Sequence, residues 1–529
     1  MKTRLFLFVC WGFSTAALPA HGQSLPILFV TQVPPPGVTG TVTSVGGNHL
    51  PTVEAAPRGG DLMIRYPDGT LRNLTREAGY GTADNDQAAG SIAVRDPQVH
   101  WSGQKAVFSM VVSSGDPAAD RWQLYQVSGL EQGVSVNITR VTQQPADFNN
   151  VQPCYAPDDR LIFVSDRTRD GSLTTYPAID EKGAGRSNTG LWSLDPQTAD
   201  LVQLEHSPSG SFDPIVDRYG RVLFTRWDHL QRDEKVQGTN TAGGFDYASE
   251  TSGVPGSPGA FTETYPEALV PAGSELALRF DLFMPWTVNP DGTDLLTLNH
   301  IGRHEISPSF TKARTDGNLT DFVPPPFSPM IKTRAAALMQ LTEHSTLPGN
   351  YLGVDAVLNG TSSGRILLLQ GSEPGANPVN MRLRVFAGSG FARDPVVLQS
   401  GLLLASVANG PSTVDASYGS GSGGGALPPS VAINPNQTLS PGNPLLIRQF
   451  PIPADGSFTG VASFLPPLIQ GVARSVTNHG STGTLTFTGP LWQLQPVEVR
   501  AVSRPATRAS SLESAETEIF HQTGVSPNA

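Results

Sequence analysis

The run DPIVDRYGRVLFTRWDH, residues 213–229, contains the pattern that decides the fold. An Asp-Pro step and a short apolar stretch are followed by a Tyr-Gly pair and then by the strand-forming residues VLFTRW. Aliphatic and aromatic residues of this kind favour β-strands, and glycine accepts the positive φ that a tight turn demands. The run therefore predicts two short strands joined by a turn.

The same pattern occurs twice upstream, in residues 96–109 and 151–165, each with Asp-Pro or Gln-Pro at its start. In the three copies the proline precedes a phenylalanine by 11, 10 and 10 residues. Weaker copies follow at 307–310 and 394–406. We therefore predict that the three phenylalanines occupy equivalent buried strand positions: Phe108, Phe163 and Phe224.

A second recurring element lies between these units, a strand that ends in Asp-Gly and is followed by another strand. It occurs at Asp68-Gly69 and at Asp291-Gly292, and it predicts two-residue hairpin turns. Each period then supplies about four strands. Four-stranded sheets repeated every 40 to 60 residues or so are the signature of propeller blades. We expect an all-β fold, a β-propeller followed by a small β-rich domain.

The remaining segments give the expected domain layout. The first 22 residues combine Lys2 and Arg4 with an apolar run and small residues, which predicts a signal peptide and export to the periplasm or the exterior. The tail ends without a natural stop signal, as a fragment would. The expected divisions are 1–22 signal peptide, 23–410 propeller with an insertion at about 228–282, 411–440 Gly/Ser/Pro-rich linker, 441–505 small β-rich domain and 506–529 tail.

Charge excludes one large class of partners. The chain of 529 residues carries 35 Lys and Arg against 46 Asp and Glu, a net charge of -11. Nucleic-acid binding normally requires a basic surface, so we expect no nucleic-acid partner. No stretch beyond the signal peptide is apolar over the roughly 20 residues that a membrane-spanning helix needs, so we also expect no membrane span.

Repeats of this Asp-Pro and Asp-Gly kind resemble the TolB-type (WD40-like) β-propeller repeat. The run 213–228 is similar to the middle domain of the hydrazine synthase alpha subunit family, as are residues 57–62 and 453–457. Together these motifs cover about 60 to 490. The resemblance implies a six-bladed propeller with flanking β modules.

The chain departs from that family at one functional motif. In haem-bearing relatives, a Trp-x-x-x-Pro-x-Glu stretch is followed closely by Cys-x-x-Cys-His. Residues 492–498 match the first part, but Ala501-Val502-Ser503-Arg504-Pro505 stands where the haem motif would be. Covalent haem attachment is therefore excluded at this site, and we expect no cofactor. With Cys10 in the signal peptide, Cys154 is expected to be a buried structural thiol.

The candidate ligand-binding residues are consecutive: Arg226, Trp227, Asp228 and His229. They leave a predicted strand and precede the insertion that contains the Gly-, Ser- and Thr-rich segment 238–259. A cation and a large aromatic ring at a loop suit a small anionic or planar ligand. The alternative is an ion pair within the blade, with Trp227 packed between blades.

Two further motifs favour structural interpretations. Residues 360–364 fit Gly-x-Ser-x-Gly, but a nucleophile elbow needs a helix after it, and the flanking residues predict a hairpin turn instead. His300 and His304 have the spacing of zinc ligands on a helix, although the repeat pattern places them in a loop or at a strand end. We expect no catalytic and no metal-binding residues.

Two classes of function remain open. The first is an exported propeller that acts as a ligand- or protein-binding scaffold, with an unknown protein or a small ligand as its partner. The alternative is a divergent redox or hydrolytic enzyme subunit with its site at the propeller mouth. The absent haem cysteines favour binding, because a propeller fold by itself determines no chemistry.

Overall fold

The chain folds into a six-bladed β-propeller in the computed structural model. The described residues are 25–33, 53, 56–167, 190–229, 281–298, 338–356, 364–408, 445–451, 465–510 and 514–524, apart from 84, 86, 87, 206, 208, 209, 378–381, 481 and 482. The segments 238–259, 307–310 and 411–440, the signal peptide, and His300 and His304 lie outside them. In the described part of the chain, no helix is long and apolar enough to cross a membrane.

Each blade is an antiparallel sheet whose first strand lies nearest the propeller axis. Blades one to three are β24 (Trp492–Glu498), β1 (Ile27–Gln32), β2 (Leu62–Arg65) and β3 (Leu71–Asn73); β4 (Ile92–Val99), β5 (Lys105–Val112), β6 (Gln123–Ser128) and β7 (Asn137–Arg140); and β8 (Asn150–Tyr155), β9 (Leu161–Ser165), β10 (Gly190–Leu194) and β11 (Leu201–Gln203).

Among blades four to six, blade four is a separate four-stranded sheet, whereas blades five and six form one continuous six-stranded sheet. Their strands are β12 (Gly210–Val216), β13 (Val222–His229), β14 (Asp281–Val288) and β15 (Leu296–Thr297); β16 (Leu338–Glu343), β17 (Tyr351–Ala356), β18 (Gly364–Gln370) and β19 (Arg382–Val397); and the last part of β19 with β20 (Leu402–Ala408) and β21 (Leu445–Pro451). β19 serves both as the outer strand of blade five and as the inner strand of blade six. The remaining elements are the hairpin β22 (Ala473–Gly480) with β23 (Gly483–Pro490), and the helices α1 (Leu74–Glu77) and α2 (Ser514–Thr523).

The two ends of the chain meet in blade one. β24 pairs with β1, from Ile27 opposite Glu498 to Gln32 opposite Trp492. β21 pairs along its length with β20 in blade six. This pairing differs from the expected division at 410 and 441, because strands from the predicted small domain complete two blades. Pairing between chain ends is non-local, and periodicity in the sequence carries no signal for it.

The three predicted phenylalanines are buried and equivalent. Each lies on the second strand of its blade, opposite a break in the register of the first strand, and pairs with an aromatic residue on the third strand. Phe108, Phe163 and Phe224 each pack toward the preceding blade. The predicted repeat alignment is therefore confirmed for blades two, three and four.

The inner strand of blade five lacks the proline of the repeat pattern and was not predicted. β16 carries Gln340-Leu341 where three other blades have Asp-Pro and two have Gln-Pro. The weak match at 394 was correct, because Asp394-Pro395 lies in the inner-strand part of β19. The missing proline explains why the pattern was not found at 340.

The Asp-Gly turns differ in detail from the two-residue hairpins that were predicted. Tyr66 N donates to Thr70 O and Gly69 N donates to Tyr66 O, so the loop contains three residues. Gly69 has φ +89°. Pro67 is the cause, because its φ near −65° suits a type I turn followed by a left-handed residue and cannot enter a type I′ turn. Asn289 to Thr293, with Pro290 and Gly292, repeats this geometry.

Candidate functional site

Six residues in the left-handed backbone conformation form a ring around the propeller axis. In every blade the inner strand has a register shift, and one non-glycine residue there has φ between 52° and 58°. These residues alternate between aspartate and glutamine: Asp96, Gln152, Asp213, Gln340, Asp394 and Gln495. Such φ values are uncommon outside glycine and cost free energy unless the surroundings enforce them.

Hydrogen bonds between neighbouring blades hold this Asp/Gln ring. Each of the six side chains accepts the backbone N–H of the next ring residue, at N···O distances of 2.7–3.2 Å. Gln152 Nε2 also donates to Asp213 Oδ1, and Gln495 Nε2 donates to Asp96 Oδ1, both at 2.6 Å. The repeating unit of the ring is therefore two blades, which gives a six-bladed propeller an approximate threefold axis at its centre.

Two buried arginines lie beside this ring. Arg95 Nε is 2.7 Å from Asp96 Oδ2, and Arg393 Nε is 3.2 Å from Asp394 Oδ2. Both guanidinium groups are almost fully buried, and the ring of Trp122 covers the Arg95 guanidinium at 5.4 Å. Burial raises the pKa of Asp96; the Arg95 charge opposes this and the charge of Asp213 adds to it. The ring thus contains three carboxyl groups and lies beside two guanidinium groups, and burial favours the neutral form of Asp96.

An axial cavity of about 140 Å³ lies on one side of the Asp/Gln ring. Its floor is the ring, and its collar is formed by the residues that follow in each strand: Pro97, Pro153, Pro214, Leu341, Pro395 and Pro496. Beyond the collar, the wall contains Gln98, Ile215, Thr342, Val396 and Val497, all half-buried. The cavity thus has a polar floor, an apolar collar and an open outer end.

The cavity opens toward the ends at which the inner strands leave the ring. We call this side the turn face, because the turns from first to second strand lie there, for example residues 100–104 and 217–221. The opposite side, where second strands end, is the insertion face. Among the described residues, no three His, Cys, Asp or Glu side chains come together as a group that could hold a metal ion.

The predicted run 226–229 lies at the insertion face, away from the axial cavity. It forms the end of β13, where Trp227 pairs with Gly210, the first residue of the inner strand. Trp227 is 2% exposed and stacks on Phe283 with ring centroids 5.7 Å apart. The packing alternative therefore holds for this ring, which contacts the core and does not face solvent.

Arg226 is half-buried, with its guanidinium 4.3 Å from the ring centre of Trp286. The backbone of Asp228 and His229 pairs with β14, and their side chains lie outside the described part of the structure. The structure thus brings Arg226 to an aromatic ring of its own blade. A ligand-binding role for the run stays a prediction.

Three side chains on the turn face are hydrogen-bonded as serine, histidine and aspartate, the arrangement of a catalytic triad. His100 Nδ1 is 2.9 Å from Ser102 Oγ, and His100 Nε2 is 2.8 Å from Asp159 Oδ1. However, Nδ1 also accepts the backbone N–H of Ser102. Asp217 Oδ1 accepts the N–H of Tyr219 in the same way at the matching turn of blade four. The arrangement is a turn cap that recurs in the repeat, as it does in short polar turns generally.

The structure also bears on the predictions for Cys154 and for the Gly-x-Ser-x-Gly motif. Cys154 is buried and free, and burial raises the pKa of its thiol. β17 and β18 pair antiparallel up to Ala356 opposite Gly364, as the hairpin predicted at the Gly-x-Ser-x-Gly motif requires, and residues 357–363 between them lie outside the described part of the chain. Sequence reasoning missed the Asp/Gln ring as a site, although the Asp-Pro and Gln-Pro steps that mark it were the basis of the repeat alignment.

Comparisons with known proteins give similarities of fold. No family model and no curated protein matches the chain. Kuenenia stuttgartiensis hydrazine synthase is a similar solved structure at 12% identity and a TM-score of 0.46, covering 92% of this chain and 48% of that chain. TolB from Acinetobacter baumannii has 10% identity and a TM-score of 0.38, covering 89% of this chain and 66% of that chain.

A putative TolB from Agrobacterium tumefaciens is also similar, at 10% identity and a TM-score of 0.31, covering 69% of this chain and 89% of that chain. The present chain spans about half the length of the hydrazine synthase chain.

Proposed function

We propose that this protein is an exported binding scaffold whose recognition element is the axial cavity, and that the cavity takes a protonated alkylamine such as a lysine side chain. The observation that carries the proposal is the pairing of an Asp/Gln floor with an apolar collar in one open cavity. The fold suits this role, because closed blades hold the lining residues rigidly on strands.

The collar and the floor can contact different parts of one ligand. Five prolines and Leu341 surround the axis just outside the ring and can contact methylene groups. Carboxylate and amide oxygens at the floor can accept hydrogen bonds from an ammonium group, which is a compact cation with three donors. An alkylammonium has both features in one chain.

The size of the cavity is consistent with such a group. A cavity of about 150 Å³ in another protein accommodates benzene, and this one has about 140 Å³. A butylammonium group is of similar size. The outer end is open, so the amine can belong to a free small molecule or to a lysine on a partner protein.

Titration calorimetry with n-butylammonium tests the proposal, with n-butanol and butyrate as neutral and anionic analogues of similar length. We expect the amine to bind and the two analogues to bind at least tenfold more weakly. Thr342→Trp and Gln98→Trp, on different blades, each place an indole at the cavity wall and should abolish binding. Thr142→Trp, at an exposed position, is the matched control.

Two results would contradict the proposal. One is the absence of amine binding to the folded protein, and the other is binding that persists in both tryptophan variants. A lysine-containing peptide and its norleucine counterpart then distinguish a partner protein from a free amine. The predicted run 226–229 lies on the opposite, insertion face and stays a separate proposal for a small anionic or planar ligand. Arg226→Ala should therefore weaken binding of benzoate, which is both, and leave amine binding unchanged.

Export is the remaining part of the proposal, and it is supported by the composition of residues 1–22. Cleavage is expected after Ala20 or Gly22, where small residues precede the bond. Mass spectrometry of the exported protein should find a new N-terminus at one of these positions. Exported protein that retains Met1 would contradict this part.

A further inference from the structure

The chain continues beyond the closing strand β24 as an extended segment, residues 499–510, which we call the strap. It lies on the turn face and passes blades two, three and four in order. Its first residue is fixed in blade one, where Val499 N donates to Pro26 O at 2.8 Å. At blade two, Val502 N donates to Trp101 O at 2.9 Å.

Further along, the strap contacts blades three and four through side chains. Arg504 donates to both carboxylate oxygens of Asp159 at 2.9 Å and to Pro157 O at 3.1 Å. Pro505 is buried, whereas half of the strap residues are exposed. Ser510 N donates to Thr293 Oγ1 at 3.1 Å, and Ser510 Oγ donates to Asp294.

Two turn glycines show how closely the strap approaches. A Cβ at Gly103 would lie 2.6 Å from the backbone N of Ala501, and one at Gly220 would lie 2.2 Å from the carbonyl oxygen of Ala506. Both distances are shorter than any real Cβ contact. The turns of blades two and four therefore accommodate the strap only because they carry glycine there, in addition to the positive φ of each turn.

The strap contacts blades that lie on the β1 side of the place where the propeller closes. The ring of blades can open only where its ends meet, between β24 and β1 in blade one. The strap is covalently continuous with β24, whereas blades two to four follow β1 in the chain. Separating β24 from β1 therefore leaves β24 tethered to the β1 side of the opening as long as the strap stays bound.

We infer that the strap is a second lock on the closure of the propeller. Its individual contacts are weak, since exposed ion pairs contribute little, and Arg504 is 44% exposed. Tethering makes these weak contacts effective, because a strand held near its partner re-pairs at a high effective concentration. The strap thus suppresses opening at the seam through its contacts on blades two to four, outside the seam, in addition to the single Val499–Pro26 bond that continues the seam.

Hydrogen exchange with mass spectrometry on the full chain tests the inference. The variant Arg504→Ala/Pro505→Gly removes the ion pair with Asp159, the bond to Pro157 O and the buried ring. Faster tryptic cleavage after Arg508 reports that the strap has detached. We expect exchange in peptides spanning 26–32 and 491–499 to accelerate at least tenfold. Peptides in β12 and β13 of blade four should change less than twofold. Ser503→Ala, at an exposed strap position, is the matched control.

Two outcomes would overturn the inference: a detached strap with unchanged exchange at the seam, and acceleration of similar size in every blade, which would indicate general destabilisation. If the double variant does not fold, Arg504→Lys is used instead. That substitution keeps the charge and loses the second nitrogen, which donates to Pro157 O. It should give the same seam-selective acceleration with a smaller amplitude.

Discussion

Replacing Gln152 with glutamate tests the structure of the Asp/Gln ring directly. Gln152 is 4% exposed, and its Nε2 donates to Asp213 Oδ1 at 2.6 Å. Its Oε1 accepts the backbone N–H of Asp213 at 3.0 Å. In Gln152→Glu the second bond survives, but an oxygen replaces Nε2 and lies against a carboxylate oxygen. Two such oxygens can approach to this distance only if they share a proton.

The expected loss of stability in Gln152→Glu has two contributions. A hydrogen bond to a charged acceptor contributes about 1.5–3 kcal/mol to stability, and the like charges add a repulsion that grows with burial. At pH 7 we expect the free energy of unfolding to fall by about 2–4 kcal/mol. The folded-state pKa of the new glutamate must be raised above its unfolded value of about 4.3. Stability relative to the wild type is therefore retained below about pH 4.3 and lost as the pH rises through the folded pKa.

Urea unfolding between pH 4 and pH 8 measures this difference. The gap between Gln152→Glu and the wild type should widen with pH, at up to about 1.4 kcal/mol per pH unit. Gln143→Glu, at an exposed position of the loop before blade three, is the control and should show no such slope. A gap that is constant over this pH range, or absent, would refute the assignment of donor and acceptor in the ring.

Three further predictions concern the core. Phe224→Ala should lower the free energy of unfolding by about 3–5 kcal/mol, because it leaves a cavity between blades three and four; urea unfolding measures this, and a loss below about 1 kcal/mol would contradict the packing. Cys154 should not react with iodoacetamide in the native protein, because it is buried and its pKa is raised; labelling before unfolding would contradict this. Burial, with the Arg218 charge adding to it, lowers the pKa of His344 to about 4. Folding therefore loses up to about 3 kcal/mol as the pH falls from 6.5 toward 4, a loss that His344→Gln should remove from the pH profile of the urea midpoint.

The parts of the fold that the sequence predicted are those encoded within a few residues. An Asp-Pro or Gln-Pro step and a phenylalanine 10 or 11 residues later describe one inner strand, one turn and one second strand. Blades two to four satisfy this pattern, and their equivalence is confirmed. In blade five Gln340 is followed by Leu341, so the local pattern is broken although the bulge and its positive φ persist. The closure by β24 could not be predicted, because it depends on pairing between residues about 465 positions apart.

The candidate site was less predictable for a related physical reason. Trp227 stands at a strand end beside an insertion, a place that suits recognition, but its side chain points toward Phe212 and Phe283 and belongs to the core. Nothing in the local sequence distinguishes an inward from an outward ring at the end of a strand. The Asp/Gln ring was hard to predict for a different reason. Asp96, Gln152, Asp213 and Asp394 belong to the repeat pattern, but Gln340 and Gln495 were not recognised as members of it. Their alternation becomes apparent only where six strands meet at one axis.

The alternation itself follows from counting donors and acceptors. Each of the six bulges presents a backbone N–H that must be accepted by the preceding side chain, and either a carboxylate or an amide oxygen can do so. Once that bond is made, an aspartate retains an acceptor and a glutamine retains a donor, so the two satisfy each other when they are neighbours. Six aspartates would crowd charges with no donor between them, and six glutamines would leave the buried Arg95 and Arg393 without counter-ions. An alternating ring satisfies both requirements, and it leaves three carboxyl groups at the floor of the axial cavity.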